Sequence, residues 1–198
     1  MRFSRKVRSM IIGSWILALA AVVHAAEYSI DPAHSNVGFS VRHIVSNVKG
    51  QFNDFSGNFI YDAKAPEKSS VEAVIQTKSI NTNNDKRDGH LKSPDFFDVE
   101  KIPTMTFKST AVKSAGPRKL EVAGLLTLHG ISKPVTLSVE GGDVAKDPWG
   151  GTRTGFTATT TINRKDYGMT WNKTLDNGGL LVGDEVKIDI EVEGLQKK

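Results

Sequence analysis

The 198-residue chain has no cysteine. Disulfides, thiolate metal sites and thiol nucleophiles are excluded, so the fold must rest on its own core. Low-complexity linkers and repeats of fixed period are also missing. Long apolar runs are confined to one place, "MIIGSWILALAAVV" from Met10 to Val23. Arg2, Arg5, Lys6 and Arg8 precede it without an acid, and the small residues of "VHA" follow. This is the order of a secretory signal peptide, and the run is short for a membrane span of about 20 residues. The expectation is a leader over 1–25, cleaved after Ala25 or Ala26, and one domain over 26–198.

Net charge is lacking too once the leader is set aside. Four of the 26 basic residues lie in it, which leaves 22 against 22 acidic ones. A global electrostatic pull toward nucleic acid or membrane is not supported. The expected product is an exported protein that is not integral to the membrane after cleavage.

What the chain does have is alternation of period two, the mark of half-buried strands. In "NVGFSVRHI", Val37, Phe39, Val41 and His43 share a face. Val71, Ala73, Ile75 and Thr77 do so in "SSVEAVIQT", and Met105, Phe107, Ser109 and Ala111 in "PTMTFKSTAVK". Leu120, Val122, Gly124, Leu126 and Leu128 align next, then Val135, Leu137 and Val139. Phe156, Ala158, Thr160 and Ile162 follow, and Val186, Ile188, Ile190 and Val192 close the series. The run "GQFNDFSGNFIYD", with Phe59, reads as a strand bent near Ser56-Gly57. Turn signals "GPRK", "HGISK" and "KDPWGG" separate the later strands. About eight long antiparallel strands with one wet face predict an all-β barrel, ahead of a sandwich.

"NTNNDKRDGHLKSPDFFD" breaks the pattern. It predicts one short helix over 83–91, followed by a turn capped by Ser93 with Pro94 at its first position. No other helical segment is expected. As a calcium loop it fails, because Lys86 stands where an oxygen ligand is needed and Asp95 is too short for the bidentate position. The histidines His34, His43, His90 and His129 show no zinc spacing. "SNVK" (46–49) lacks the helix and partner motifs of an acyl-transfer serine, and "NKT" (172–174) is a glycosylation sequon by pattern only. No metal and no cofactor are expected. Thr77, Ser109, Gly124, Ala158 and Thr160 are small residues on inward positions, which leaves a ligand cavity or a packed core both open.

The motifs "YSIDPAHSNVGFSVRH", "VKGQFNDFSGNF", "RDGHLKSPDFFDVEKIPTMTF", "VAGLLTLHGISKPVTL", "INRKDYGM" and "VGDEVKIDIEVEG" resemble the YceI-like family, in its own order, from Tyr28 to about Gly194. The resemblance implies an extended, lipocalin-like, eight-stranded antiparallel barrel in the bacterial periplasm. It implies a binding or carrier protein rather than an enzyme, holding a long isoprenoid such as a polyprenyl pyrophosphate or a quinone tail, or a similar amphiphile. The barrel lining would comprise the inward side chains Val37 to His43, Phe59, Val71, Ala73, Ile75, Met105, Phe107, Ser109, Leu126, Leu128, Leu137, Phe156, Ala158, Ile188 and Ile190. Phe96 and Phe97 would plug the barrel, Arg87 and Asp88 would pin the helix by charge-assisted hydrogen bonds, and His90 would be structural. Alternatively Arg87, His90 or Lys92 meets a polar head group. Two other readings stand beside the carrier: a lipid-modifying enzyme with His43, His90 or His129 as base, and a filled barrel acting as an adhesion or scaffold module. A homodimer is left open.

Overall fold

The alternating segments pair into one closed sheet in the computed structural model, which describes residues 25–176 and 178–198. The expected leader lies almost wholly outside the described residues. The strands are β1 (Ala26–Ile30), β2 (Asn36–His43), β3 (Ser46–Phe52), β4 (Phe55–Tyr61), β5 (Ser70–Gln76) and β6 (Ile80–Asn81). After helix α1 (Asp85–Lys92) come β7 (Thr104–Gly116), β8 (Lys119–Leu128), β9 (Ile131–Lys146), β10 (Thr152–Asn163) and β11 (Val182–Gln196).

The first six strands are three long ones, each broken once. β1 and β2 both lie along β11, β3 and β4 lie along β2 and β1, and β5 and β6 lie along β4 and β3. Counted this way, eight antiparallel strands run in sequence order, and pairing of the first with β11 closes the barrel. Closure leaves the ring without a bare edge.

The breaks differ from expectation in place. The third-to-fourth strand break falls at Asn53-Asp54, not at Ser56-Gly57. Phe52 and Phe55, three apart, both point inward at 5% and 7% exposure, which a continuous strand cannot arrange. On β7 the register shifts between Ser109 and Ala111. Beyond this bulge the inward face passes to Val112, buried at 4%, and Ala111 turns out to solvent. Helix α1 is the expected one, with Asn84 accepting from the Arg87 N–H at 3.0 Å as its cap. Four single 3-10 turns join it, contrary to the expectation of one helical segment: Pro32–His34, Pro66–Lys68, Thr77–Ser79 and Arg164–Tyr167.

At the end remote from α1, Arg153 on β10 ties the seam. Its guanidinium donates to Asp31 at 2.7 Å, Asp147 at 3.0 Å and Glu193 at 2.5 Å. Asp31, His34 and Glu193 approach closely enough to hold a metal ion, but both carboxylates already accept from the Arg153 guanidinium. Hydrogen bonds from Arg153 and then His34 hold the Asp31 carboxyl at about 2, below the usual value of about 3.9. A depressed folded-state value stabilises the fold above the unfolded value and is lost as pH falls through the folded one. The urea midpoint is therefore expected to drop between about pH 4 and pH 2, and Asp31→Asn to drop less across the same window. Equal losses in both proteins would place the acid sensitivity elsewhere.

Candidate functional site

The barrel is not filled. A cavity of about 630 Å³ runs inside it, within the range of about 300–1,000 Å³ typical of ligand sites. Its walls are aliphatic and aromatic: Val37, Phe39 and Val41 from β2, Val71, Ala73 and Ile75 from β5, Met105 and Phe107 from β7, Leu126 and Leu128 from β8, Leu137 from β9, Ala158 from β10, and Ile188 and Ile190 from β11. Phe59 and Phe156 line it as well, and pack edge-on at 5.7 Å. Tyr28 stacks on Phe59 at 5.1 Å, and Tyr61 meets Phe156 at 5.0 Å, so aromatics narrow this end.

Small inward residues do not all leave space. A Cβ on Gly124 would lie 2.5 Å from the Phe107 ring, so Phe107 occupies that volume. Thr77 packs beside the barrel end and donates to the Ile102 carbonyl at 3.0 Å. Ser109 does not line the cavity, contrary to expectation. It sits at the β7 bulge, and its hydroxyl accepts the Val71 N–H at 2.9 Å. Ala158 and Thr160 do face the cavity.

Polar groups gather at the two ends. His43, Asn84, Lys86, Arg87 and His90 stand at the α1 end, and Tyr61, Ser69 and Ser70 at the other. Burial pushes the Tyr61 phenol up, so it is a neutral hydroxyl at physiological pH. Lys92 is not on the cavity; Lys86, nearer the start of the same helix, is.

Across residues 28–194 the chain matches the YceI-like domain. The chain belongs to the YceI-like family. A UPF0312 protein of Pseudomonas putida strain W619 is 41% identical over 193 residues, 96% of each chain. The crystal structure of Burkholderia cenocepacia BcnA superposes with a TM-score of 0.73 at 26% identity, over 83% of this chain and 98% of that one. A polyisoprenoid binding domain from Saccharophagus degradans gives 0.62 at 17% identity, over 86% and 98%. At that identity the likeness is one of fold.

In this YceI-like barrel α1 and the turn after it cover one end. Phe97 meets Phe52 edge-on at 5.6 Å, and Phe96 is buried against Trp171 at 5.3 Å. His90 lies edge-on to Phe96 at 5.1 Å and Trp171 at 4.7 Å. Its Nε2 faces the Asp95 carboxylate at 2.8 Å. A carboxylate only accepts, so Nε2 donates. His129 hydrogen-bonds the Tyr167 carbonyl through Nδ1 at 3.0 Å and is off the cavity. His43 lines it.

The expected pinning by Arg87 and Asp88 runs through a third residue. Asp88, buried at 8%, accepts from the Thr82 N–H at 3.0 Å and from the Thr82 hydroxyl at 2.5 Å. Arg87 donates to that hydroxyl and to the Thr82 carbonyl, both at 2.7 Å. Both ends of the Thr82 peptide and its side chain are thus held by α1. Asp88→Ala removes bonds to a charged acceptor and leaves a buried donor, a loss of about 2–3 kcal/mol by chemical unfolding. Lys86→Ala, exposed on the same helix, should change stability by under about 0.5 kcal/mol. Equal stability of the two variants would contradict the clamp.

Two site residues carried no signal of their own in the sequence. Trp171 lies in irregular chain, yet it walls the cavity beside α1. Arg164 opens the 3-10 turn that follows β10 and is 3% exposed. It reaches the lining, but its guanidinium is taken up by three backbone carbonyls and Asp184.

Proposed function

We propose that the protein is a periplasmic carrier that holds a long isoprenoid chain, or a similar amphiphile, in its barrel. One observation carries this reading: an apolar cavity inside a closed barrel, with polar groups gathered at its ends. Each buried CH₂ contributes about 0.8 kcal/mol, so a few prenyl units in this bore outweigh their exposure to water. A polar head group then rests at an end, and the α1 end offers Lys86 and Arg87 for an anionic one. Family membership and the polyisoprenoid binding domain of the same fold support an isoprenoid cargo. The leader pattern supports export.

Carriage needs no turnover; His43 lines the cavity, His129 is off it, and His90 makes packing contacts that suit a structural role. His90 has its Nε2 on Asp95 and its ring between two aromatics. Titration with a long polyprenyl phosphate should change Trp171 fluorescence saturably, and Trp171→Phe should remove that response. A lipid recovered chemically altered by the wild type, and unaltered by His90→Ala, would favour the enzymatic reading instead.

A further inference from the structure

We infer that the rim beside the α1 end of the cavity docks on the surface of an anionic lipid bilayer. The β2–β3 hairpin tip presents Ile44 and Val45, 44% and 82% exposed, and the strand entering β11 presents Leu180, 49% exposed. The Ile44 N–H donates to the Leu181 carbonyl at 3.1 Å, which holds the two segments side by side. Their neighbours His43, Leu181 and Val182 line the cavity. The exposed apolar rim is therefore continuous with the apolar bore.

Single exposed apolar residues are ordinary, but apolar groups contiguous with a cavity mouth mark an interaction surface. The backbone adds a second sign. Ile44 has φ of +48°, a left-handed conformation that glycine or asparagine adopts freely and a β-branched residue does not. The Arg42 Nε donates to the Ile44 carbonyl at 3.0 Å and steadies the turn. Two β-branched apolar side chains thus stand on the tip of a hairpin where turn chemistry favours small or polar ones.

The occupant follows from chemistry. Residues 42–49 carry Arg42 and Lys49 and no acid, and Lys173 is exposed on the segment that ends at Leu180, against the single acid Asp176. Apolar side chains flanked by Arg42, Lys49 and Lys173 suit an interface of acyl chains below anionic head groups. The inference rests on the carrier reading for its purpose, since a water-insoluble cargo must enter and leave through an apolar phase.

The test uses protein starting at Ala26, which contains every strand of the closed barrel. It is sedimented with vesicles of phosphatidylglycerol and phosphatidylethanolamine, and its prenyl-phosphate binding is measured separately. Wild type should bind the vesicles, less so at high salt. Val45→Asp should weaken binding about tenfold or more, the loss from withholding one inserted side chain, with an unchanged melting temperature. Ile44→Gly should raise the melting temperature while weakening vesicle binding, so stability and docking move in opposite directions. Both variants should still bind prenyl phosphate. Rim variants that sediment like wild type overturn the docking. So does a wild type that binds prenyl phosphate but not vesicles, and the carrier reading then survives. A dimer that Val45→Asp dissolves, without vesicle binding, would assign the rim to a second copy and overturn the proposal. Loss of prenyl-phosphate binding in wild type itself would sink the carrier reading and this inference with it.

Discussion

Arg164→Ala should lower the melting temperature by roughly 10 °C, the expected size for about 3–5 kcal/mol in a domain of this length. The side chain is 4% exposed. Its Nε donates to the Gly183 carbonyl at 2.9 Å, Nη1 to the Met169 and Trp171 carbonyls at 2.6 and 2.8 Å, and Nη2 to Asp184 at 3.1 Å. β9 and β10 pair from Lys146↔Thr152 up to Ser138↔Thr159. Beyond that point the turn Arg164–Tyr167 packs against β9, with Tyr167 2% exposed. Arg164 fastens this turn to the chain that follows it and to the start of β11. Truncation leaves three carbonyls without their donor and Asp184 without its more buried cation, although Lys165 still reaches Asp184 at 2.8 Å. Burial pulls the Arg164 pKa down, yet an arginine stays protonated at neutral pH. Arg164→Lys should rescue little, because one ammonium cannot replace a planar fork. A melting temperature within about 2 °C of wild type would show that water replaces these bonds at little cost.

Ala158→Phe should reduce ligand affinity about a hundredfold and leave stability nearly unchanged. Ala158 faces the bore between Phe156 and Thr160, with Val139 and Ile190 as its cross-strand partners. A benzyl group there displaces three or four methylenes of a bound chain, each worth about 0.8 kcal/mol, or roughly a hundredfold in total. In a packed core the same change would cost about 1–3 kcal/mol of strain. Urea unfolding and prenyl-phosphate titration on the same protein separate the two cases. Lost stability with unchanged affinity would mean that the bore does not hold the ligand.

The strand faces legible in the sequence are those where alternation runs unbroken. On β2, β8, β10 and β11 the apolar residues two apart are the cavity wall. On β7 the pattern is just as regular, yet the bulge at Ser109 moves the wall from Ala111 to Val112. At that shift the Ser109 hydroxyl accepts an N–H from β5, a tertiary contact that no local pattern encodes. The break between β3 and β4 did leave a trace, since Phe52 and Phe55 are three apart and both need burial. The stretch Asn84 to Asp98 is visible as an interruption. Its partner Thr82 is not, because a threonine set among Asn81, Asn83 and Asn84 resembles any loop residue. Arg164 and Trp171 sit where irregular chain meets the barrel end, and only the folded path brings them to the cavity.

The central claim is that the bore carries a long apolar molecule. Native mass spectrometry of protein purified gently from its own cells tests it most directly. The account predicts an added mass that organic solvent removes, whose fragments step by isoprene units, and that is absent from Ala158→Phe. A wild type that flies at its bare mass, and stays bare after incubation with a polyprenyl lipid, would contradict it.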